Sequence, residues 1–299
     1  MKRGALLAVL VASISFSAVA QTTFTFTSFD PPDSSSTQAW GINTTGAVVG
    51  SYSAPGGVAY GFERRSTGSF MQPFKISGEN VYVDGINANG VLSGYYSASP
   101  VEGYPPSSSI TSFTLAKGVY TDFTAGTQTA VYGINNKGDL AGIYQASKSS
   151  YSGFLHIAAT NTTVDFSVTG AELTFAYGLN NAEIVVGAYK ETLSGTTYQG
   201  FERKTDGDIV TFGFPGAISS IAYGINECDE IVGSFATSAG TTHGFYGKLK
   251  KFTQIDYPGS TSTLLSGISL HGILVGQYVD ASGVTHGFIA TPPKPTCTP

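Results

Sequence analysis

The sequence predicts an all-β fold: a six-bladed β-propeller with four strands per blade. Two observations carry this. Six pairs of Gly spaced nine residues apart recur, at Gly41/Gly50, Gly85/Gly94, Gly133/Gly142, Gly178/Gly187, Gly224/Gly233 and Gly267/Gly276. Their first members step by 44, 48, 45, 46 and 43 residues, the period of a propeller blade. The ends are also complementary. A lone strand of the outermost type, Phe24 to Asp30, opens the pattern, and the last unit stops after its third strand, Gly287 to Ala290. The N-terminal strand is therefore expected to complete the last blade, leaving no free edge. A parallel β-helix has shorter coils and needs no such complementarity.

Each unit reads as four short segments bounded by Gly, Asn, Ser or Pro. In the fifth unit these are Ile221 to Asn226, Glu230 to Phe235, His243 to Leu249 and Lys251 to Asp256. The first two are joined by a tight turn, clearest at Asn43-Thr44-Thr45-Gly46, Asn87-Ala88-Asn89-Gly90 and Asn135-Asn136-Lys137-Gly138. Asn and Gly tolerate the positive φ that such a turn demands. The second segment keeps an aromatic two residues beyond its Gly: Tyr52, Tyr96, Tyr144, Tyr189, Phe235 and Tyr278. The third opens with Gly-Phe, except in the second unit, where Ser112-Phe113 takes the place after a longer loop. The fourth often ends in Asp, as at Asp30, Asp165 and Asp256. The Gly-Ile-Asn segment is expected innermost, where the ring narrows. Alternating strands put the variable second-to-third loops on the face of the crossings and the Asn-Gly turns on the other.

The ends bear on compartment. Lys2 and Arg3 precede an apolar run from Ala5 to Ala12, and Ala18-Val19-Ala20 offers small residues before Gln21. Residues 1–20 read as a secretory signal peptide, residues 21–291 as the propeller, and residues 292–299 as a Pro-rich tail. Without Lys2 and Arg3 the 15 basic residues fall to 13 against 20 acidic ones, a formal charge of −7. With no basic run, binding to nucleic acid or anionic lipid is disfavoured. The 38 Gly are read as turn and close-packing residues, because 41% hydrophobic and 12% aromatic residues suffice for a core.

Gly-Ile-Asn with a Gly nine residues on, His243-Gly244-Phe245, His286-Gly287-Phe288 and Ile255-Asp256-Tyr257-Pro258-Gly259 together resemble the bacterial extracellular repeats of the HAF family. The resemblance covers the chain beyond residue 20. It departs at Gly267-Ile268-Ser269, where Asn is replaced, and in the second unit, where Gly-Phe is lost. It implies an extracellular repeat protein and brings no catalytic residues.

The residues carry no recognisable catalytic motif. No Gly-x-Ser-x-Gly elbow occurs, and His243 and His286 lack companions at metal-ligand spacing, so neither metal nor cofactor is expected. Asp30, Asp165 and Asp256 recur at one outer-strand position, which suits a structural role. Tyr joins a flat apolar face to a polar tip, so Tyr60, Tyr95, Tyr104, Tyr151 and Tyr198, with Glu102, are the candidate ligand-binding residues. Glu102 and Tyr104 lie in the distinctive loop from Ser97 to Ser109. Cys228, in an Asn turn of the fifth unit, and Cys297, in the tail, are the candidate disulfide. The expected function is that of a secreted, monomeric, non-enzymatic propeller binding an extracellular protein or glycan through variable loops. The alternatives are a hydrolase or lyase acting on polysaccharide, and a structural envelope or matrix component.

Overall fold

The computed structural model describes residues 24–100 and 109–297. The expected signal peptide and residues 101–108 lie outside the described residues, as do the last two of the tail. Every regular element described is a β-strand, and the strands follow the repeat. In the fifth unit Ser219–Ile225, Ile231–Ala236, Thr242–Lys248 and Lys251–Ile255 pair antiparallel in chain order. The second unit does the same with Asn80–Ile86, Leu92–Ser97, Ile110–Ala116 and Val119–Phe123. The third and fourth units repeat the order and are joined by a single parallel bridge between Tyr151 and Leu173.

The first unit departs from four strands. Ser36–Ile42, Val48–Ser53 and Ala59–Arg64 pair regularly, but the fourth position is reduced to the bridges Gly61↔Phe74 and Arg64↔Phe70. Pro73 lies between those bridging residues and has no N–H to give a ladder, which explains the interruption. The last unit closes with the other end of the chain: Thr25–Phe29 pairs antiparallel with Thr285–Thr291, from Thr25↔Thr291 to Phe29↔Gly287.

The Gly pairs have two separate causes. The second Gly faces the Phe of the third strand, as Gly50↔Phe62, Gly94↔Phe113, Gly142↔Phe154, Gly187↔Phe201, Gly233↔Phe245 and Gly276↔Phe288. A register shift in the innermost strand drives a backbone carbonyl toward it, and any Cβ there would overlap that oxygen, Gln38 O in the case of Gly50. The facing Phe residues are at most 1% exposed and form the centre of each sheet-to-sheet contact.

The first Gly serves contact between neighbouring innermost strands. A Cβ at Gly41 would lie 3.0 Å from Asp84 O, and at Gly85, Gly133, Gly178 and Gly224 it would lie 2.8 Å from the matching carbonyl of the next unit. At Gly267 it would lie 2.7 Å from Trp40 O, so the succession returns to its start. Only Gly lets backbones come this near.

The Asn turns lock the same strands from one end. Each Asn uses both ends of its amide. Asn180 Oδ1 accepts from the N–H of Ala182 and Ile184, both at 3.0 Å, while Nδ2 donates to Asn226 O at 3.3 Å. Equivalent bonds link Asn43 to Asn87, Asn87 to Asn135, Asn135 to Asn180, and Asn226 to Ser269 O. The fourth residue of each turn has positive φ, including Glu183 (63°) and Asp229 (58°) where the other units have Gly. Ser269 is too short to carry the circuit on to Asn43. At that seam Ser266 Oγ instead donates to Ala39 O at 2.6 Å.

Other links gather near the seam. His286 Nδ1 pairs with Asp30 Oδ2 at 2.7 Å, and Nε2 lies 3.5 Å from Asp280 Oδ2. Cys228 and Cys297 form a disulfide, with Cα atoms 5.9 Å apart. Beside it Thr296 donates to Glu230 Oε2, which also accepts from Asn226 Nδ2.

Two outcomes follow. Asn180→Ala leaves buried backbone groups unpaired and costs about 2–4 kcal/mol, whereas Ser269→Asn completes the circuit and gains about 1 kcal/mol; urea unfolding of both variants measures this. For His286, burial opposes the charged ring, but hydrogen bonds and attraction from Asp30 and Asp280 outweigh it and raise the pKa above 6.5. The stability it contributes is then complete below 6.5 and is lost as pH rises through the folded value. The Tm deficit of His286→Gln is therefore largest near about pH 6 and shrinks toward about pH 9.

Candidate functional site

The approach of innermost strands decides which side chains surround the central axis. The residue before each first Gly faces inward, giving Trp40, Asp84, Tyr132, Tyr177, Tyr223 and Ser266. The residue after it forms a second tier of Ile42, Ile86, Ile134, Leu179, Ile225 and Ile268, each 7–9% exposed. Above the first tier lies a cavity of about 300 Å³, completed by Gln38, Tyr82, Tyr95, Phe175 and Tyr198. Below the second tier a hollow of about 310 Å³ is framed by the Asn turns. The apolar tier lies between the two, and at its level a smaller hollow of about 80 Å³ is bounded by both tiers.

The upper cavity is walled by aromatic rings in sequence. Ring centroids are 4.9 Å apart for Tyr132 and Tyr177, 5.0 Å for Tyr177 and Tyr223, and 5.8 Å for Tyr223 and Trp40. The small Ser266 leaves room for the Trp40 indole to reach across to Tyr223. Phe175 stacks on Tyr177, and Tyr95 on Tyr82. Between Trp40 and Tyr132 the wall is broken by Asp84.

Asp84 is the one acidic side chain lining this cavity, and no Lys, Arg or His lines it, among the described residues. Its Oδ2 is sealed from water and, among the described residues, has no hydrogen-bond partner. Although part of the side chain faces the open cavity, it lies deep within the protein, and burial holds its carboxyl well above the usual carboxylate range. Burial also pushes the Tyr223 hydroxyl up, against an opposing hydrogen bond with Ser234. Ser266 Oγ is committed to Ala39 O and Val275 O. The cavity thus offers broad aromatic faces, several tyrosine hydroxyls and one carboxyl group with an unpartnered oxygen.

The residues singled out in the sequence scatter. Tyr95 and Tyr198 line the cavity. Tyr151 does not reach a surface: it is 2% exposed, packed among Ile143, Leu173 and Phe175, with its N–H bonded to Glu172 O. Its neighbourhood joins two sheets, and that is why it is buried. Tyr60 sits elsewhere, against Tyr52 and beneath Lys75 Nζ at 4.3 Å, in a separate hollow. Glu102 and Tyr104 lie outside the described residues. Asp256 pairs with His243 at 2.9 Å, as Asp30 does with His286. Asp165 lies beside Tyr144. The recurring aromatics pack internally, with Tyr278 stacked on Tyr257 at 3.7 Å and Phe235 on Phe214 at 3.9 Å. No three His, Cys, Asp or Glu side chains converge among the described residues.

Repeat reading passed over the six residues of the upper tier. Their signal was visible: they form a variable column immediately before two near-constant ones, Gly and Ile.

No family model matches the chain, and no curated protein matches it either. Solved structures do. TolB from Acinetobacter baumannii superposes with a TM-score of 0.54 at 11% identity, over 87% of this chain and 65% of that one. A luciferin-regenerating enzyme gives 0.50 at 10% identity, over 92% and 98%. The chain therefore spans just under two thirds of that TolB. At these identities the likeness shows the fold, an all-β propeller, and nothing of activity.

The unsatisfied carboxylate has a cost that can be measured. Because the folded pKa of Asp84 is raised above 3.8, folding loses stability as pH climbs past that value and the unfolded chain ionises. Asp84→Asn is expected to be more stable than wild type at neutral pH by about 1 kcal/mol or more, with the gap closing toward about pH 4. Thermal unfolding across that range measures it.

Proposed function

We propose that this chain is an exported bacterial propeller of the HAF type and that it acts as a binding module. In this reading it has six blades, nominally of four strands, with the N-terminal strand completing the last. The return of Gly267 to Trp40 supports the closure, and the disulfide suits an extracytoplasmic compartment. The ligand is a small molecule, or the terminus of a larger extracellular one, held in the aromatic cavity rather than on the loops.

The observation that carries this is the column before the first Gly. There the units cease to be alike, and it is there that a cavity of ligand size opens, lined by aromatic rings and polar groups. Repeated positions serve the fold, while this one varies and faces open space. Catalysis is the weaker reading. Glycoside hydrolysis ordinarily uses two facing carboxylates, and the described lining supplies Asp84 alone.

Trp40, the single Trp of the chain, lies in the cavity wall and reports occupancy. Titrating small sugars, amines and amino acids against its fluorescence is expected to find ligands that perturb it. Tyr177→Ala should weaken them by roughly tenfold, the scale of a lost aromatic contact. Ligands silent at Trp40 and indifferent to Tyr177→Ala would instead place binding on the loops around Tyr60.

A further inference from the structure

Asp84 stands where the other units have Trp40, Tyr132, Tyr177, Tyr223 or Ser266. The packing does not call for an acid there. The neighbouring Gly85 meets the next unit through the backbone carbonyl of Tyr132, as the other first Gly residues meet theirs. Among the described residues the carboxylate makes no ion pair that would account for its presence, and its Oδ2 lacks any hydrogen-bond donor. A buried charge in that condition is costly unless something arrives to neutralise it. The surroundings specify what could arrive. The π-faces of Trp40, Tyr177 and Tyr223 attract positive charge and accept apolar surface, and no basic side chain of the described lining competes for the site.

We propose that the cavity binds a protonated organic amine, its ammonium pairing with the Asp84 carboxylate from the cavity side and its apolar body packing among Trp40, Tyr177 and Tyr223. This rests on the reading of the cavity as the ligand site and goes further by naming the ligand's charge. A carboxylate accepts N–H donors, so a primary amine satisfies it where a quaternary ammonium does not.

The test uses Trp40 fluorescence of the intact protein with cyclohexylamine, its neutral counterpart cyclohexanol, tetramethylammonium and glucose. Cyclohexylamine is expected to bind roughly tenfold or more tightly than cyclohexanol, and Asp84→Asn, with its fold checked by circular dichroism, should erase that preference. The comparison of amine with alcohol on the wild-type protein stands even if the variant misfolds. If cyclohexanol or glucose binds as well as the amine, or the preference survives Asp84→Asn, the amine proposal fails while the cavity remains the ligand site. Tighter binding of tetramethylammonium than of the amine overturns the assigned N–H contact. If none of the four perturbs Trp40 at millimolar concentration, the amine proposal fails, and the ligand site itself is then decided by the wider panel and Tyr177→Ala.

Discussion

The tightest constraint in this molecule is the backbone-to-backbone approach of its innermost strands. At Gly41, Gly85, Gly133, Gly178, Gly224 and Gly267 the carbonyl of the neighbouring unit occupies the space a side chain would need. Much else follows from that contact. It forces the residue before each Gly into the central space, and the residue after it into the apolar tier below. The cavity is therefore a by-product of how closely the strands meet. Its chemistry is set by residues that the contact positions but whose identity it leaves free.

That division explains what could be read from the chain and what could not. Steric necessity leaves a strong trace, because a position that admits only Gly must repeat in every unit. The Asn turns repeat for a similar reason: one amide must accept from its own turn and donate to the next. The complementarity of Phe24 to Asp30 with Gly287 to Ala290 was equally legible. What a Tyr faces was not. Tyr95 and Tyr198 border the cavity, Tyr151 fills the core and Tyr60 lines a different hollow, although all four look alike in sequence. Orientation depends on the register shift in each innermost strand, which no single residue reveals. The fourth position of the first unit shows the same limit, since Pro73 weakens pairing there without breaking the repeat.

The Asn circuit and the Gly contacts also make the ring's weak point easy to locate. Five amide links run from Asn43 to Ser269, and the sixth is missing. Several other links gather around that gap. Ser266 bonds across it, the N-terminal strand spans it, and His286 holds Asp30 beside it. The joint between the last and first units differs in kind from the others, and it is secured by several modest interactions in place of one strong one.

The disulfide redirects mechanical load through this joint. Thr25 lies opposite Thr291 in an antiparallel pair, so tension on both ends of the chain would peel the two strands apart one bond at a time. Cys297 changes the route. It is fastened to Cys228 in the turn of the fifth unit, so a pull from the C-terminal side enters there and bypasses Thr285–Thr291. Only the five residues Thr25–Phe29 are then left to yield. Tension between the two ends therefore falls on one short strand, Thr25–Phe29, and on the disulfide that anchors the tail.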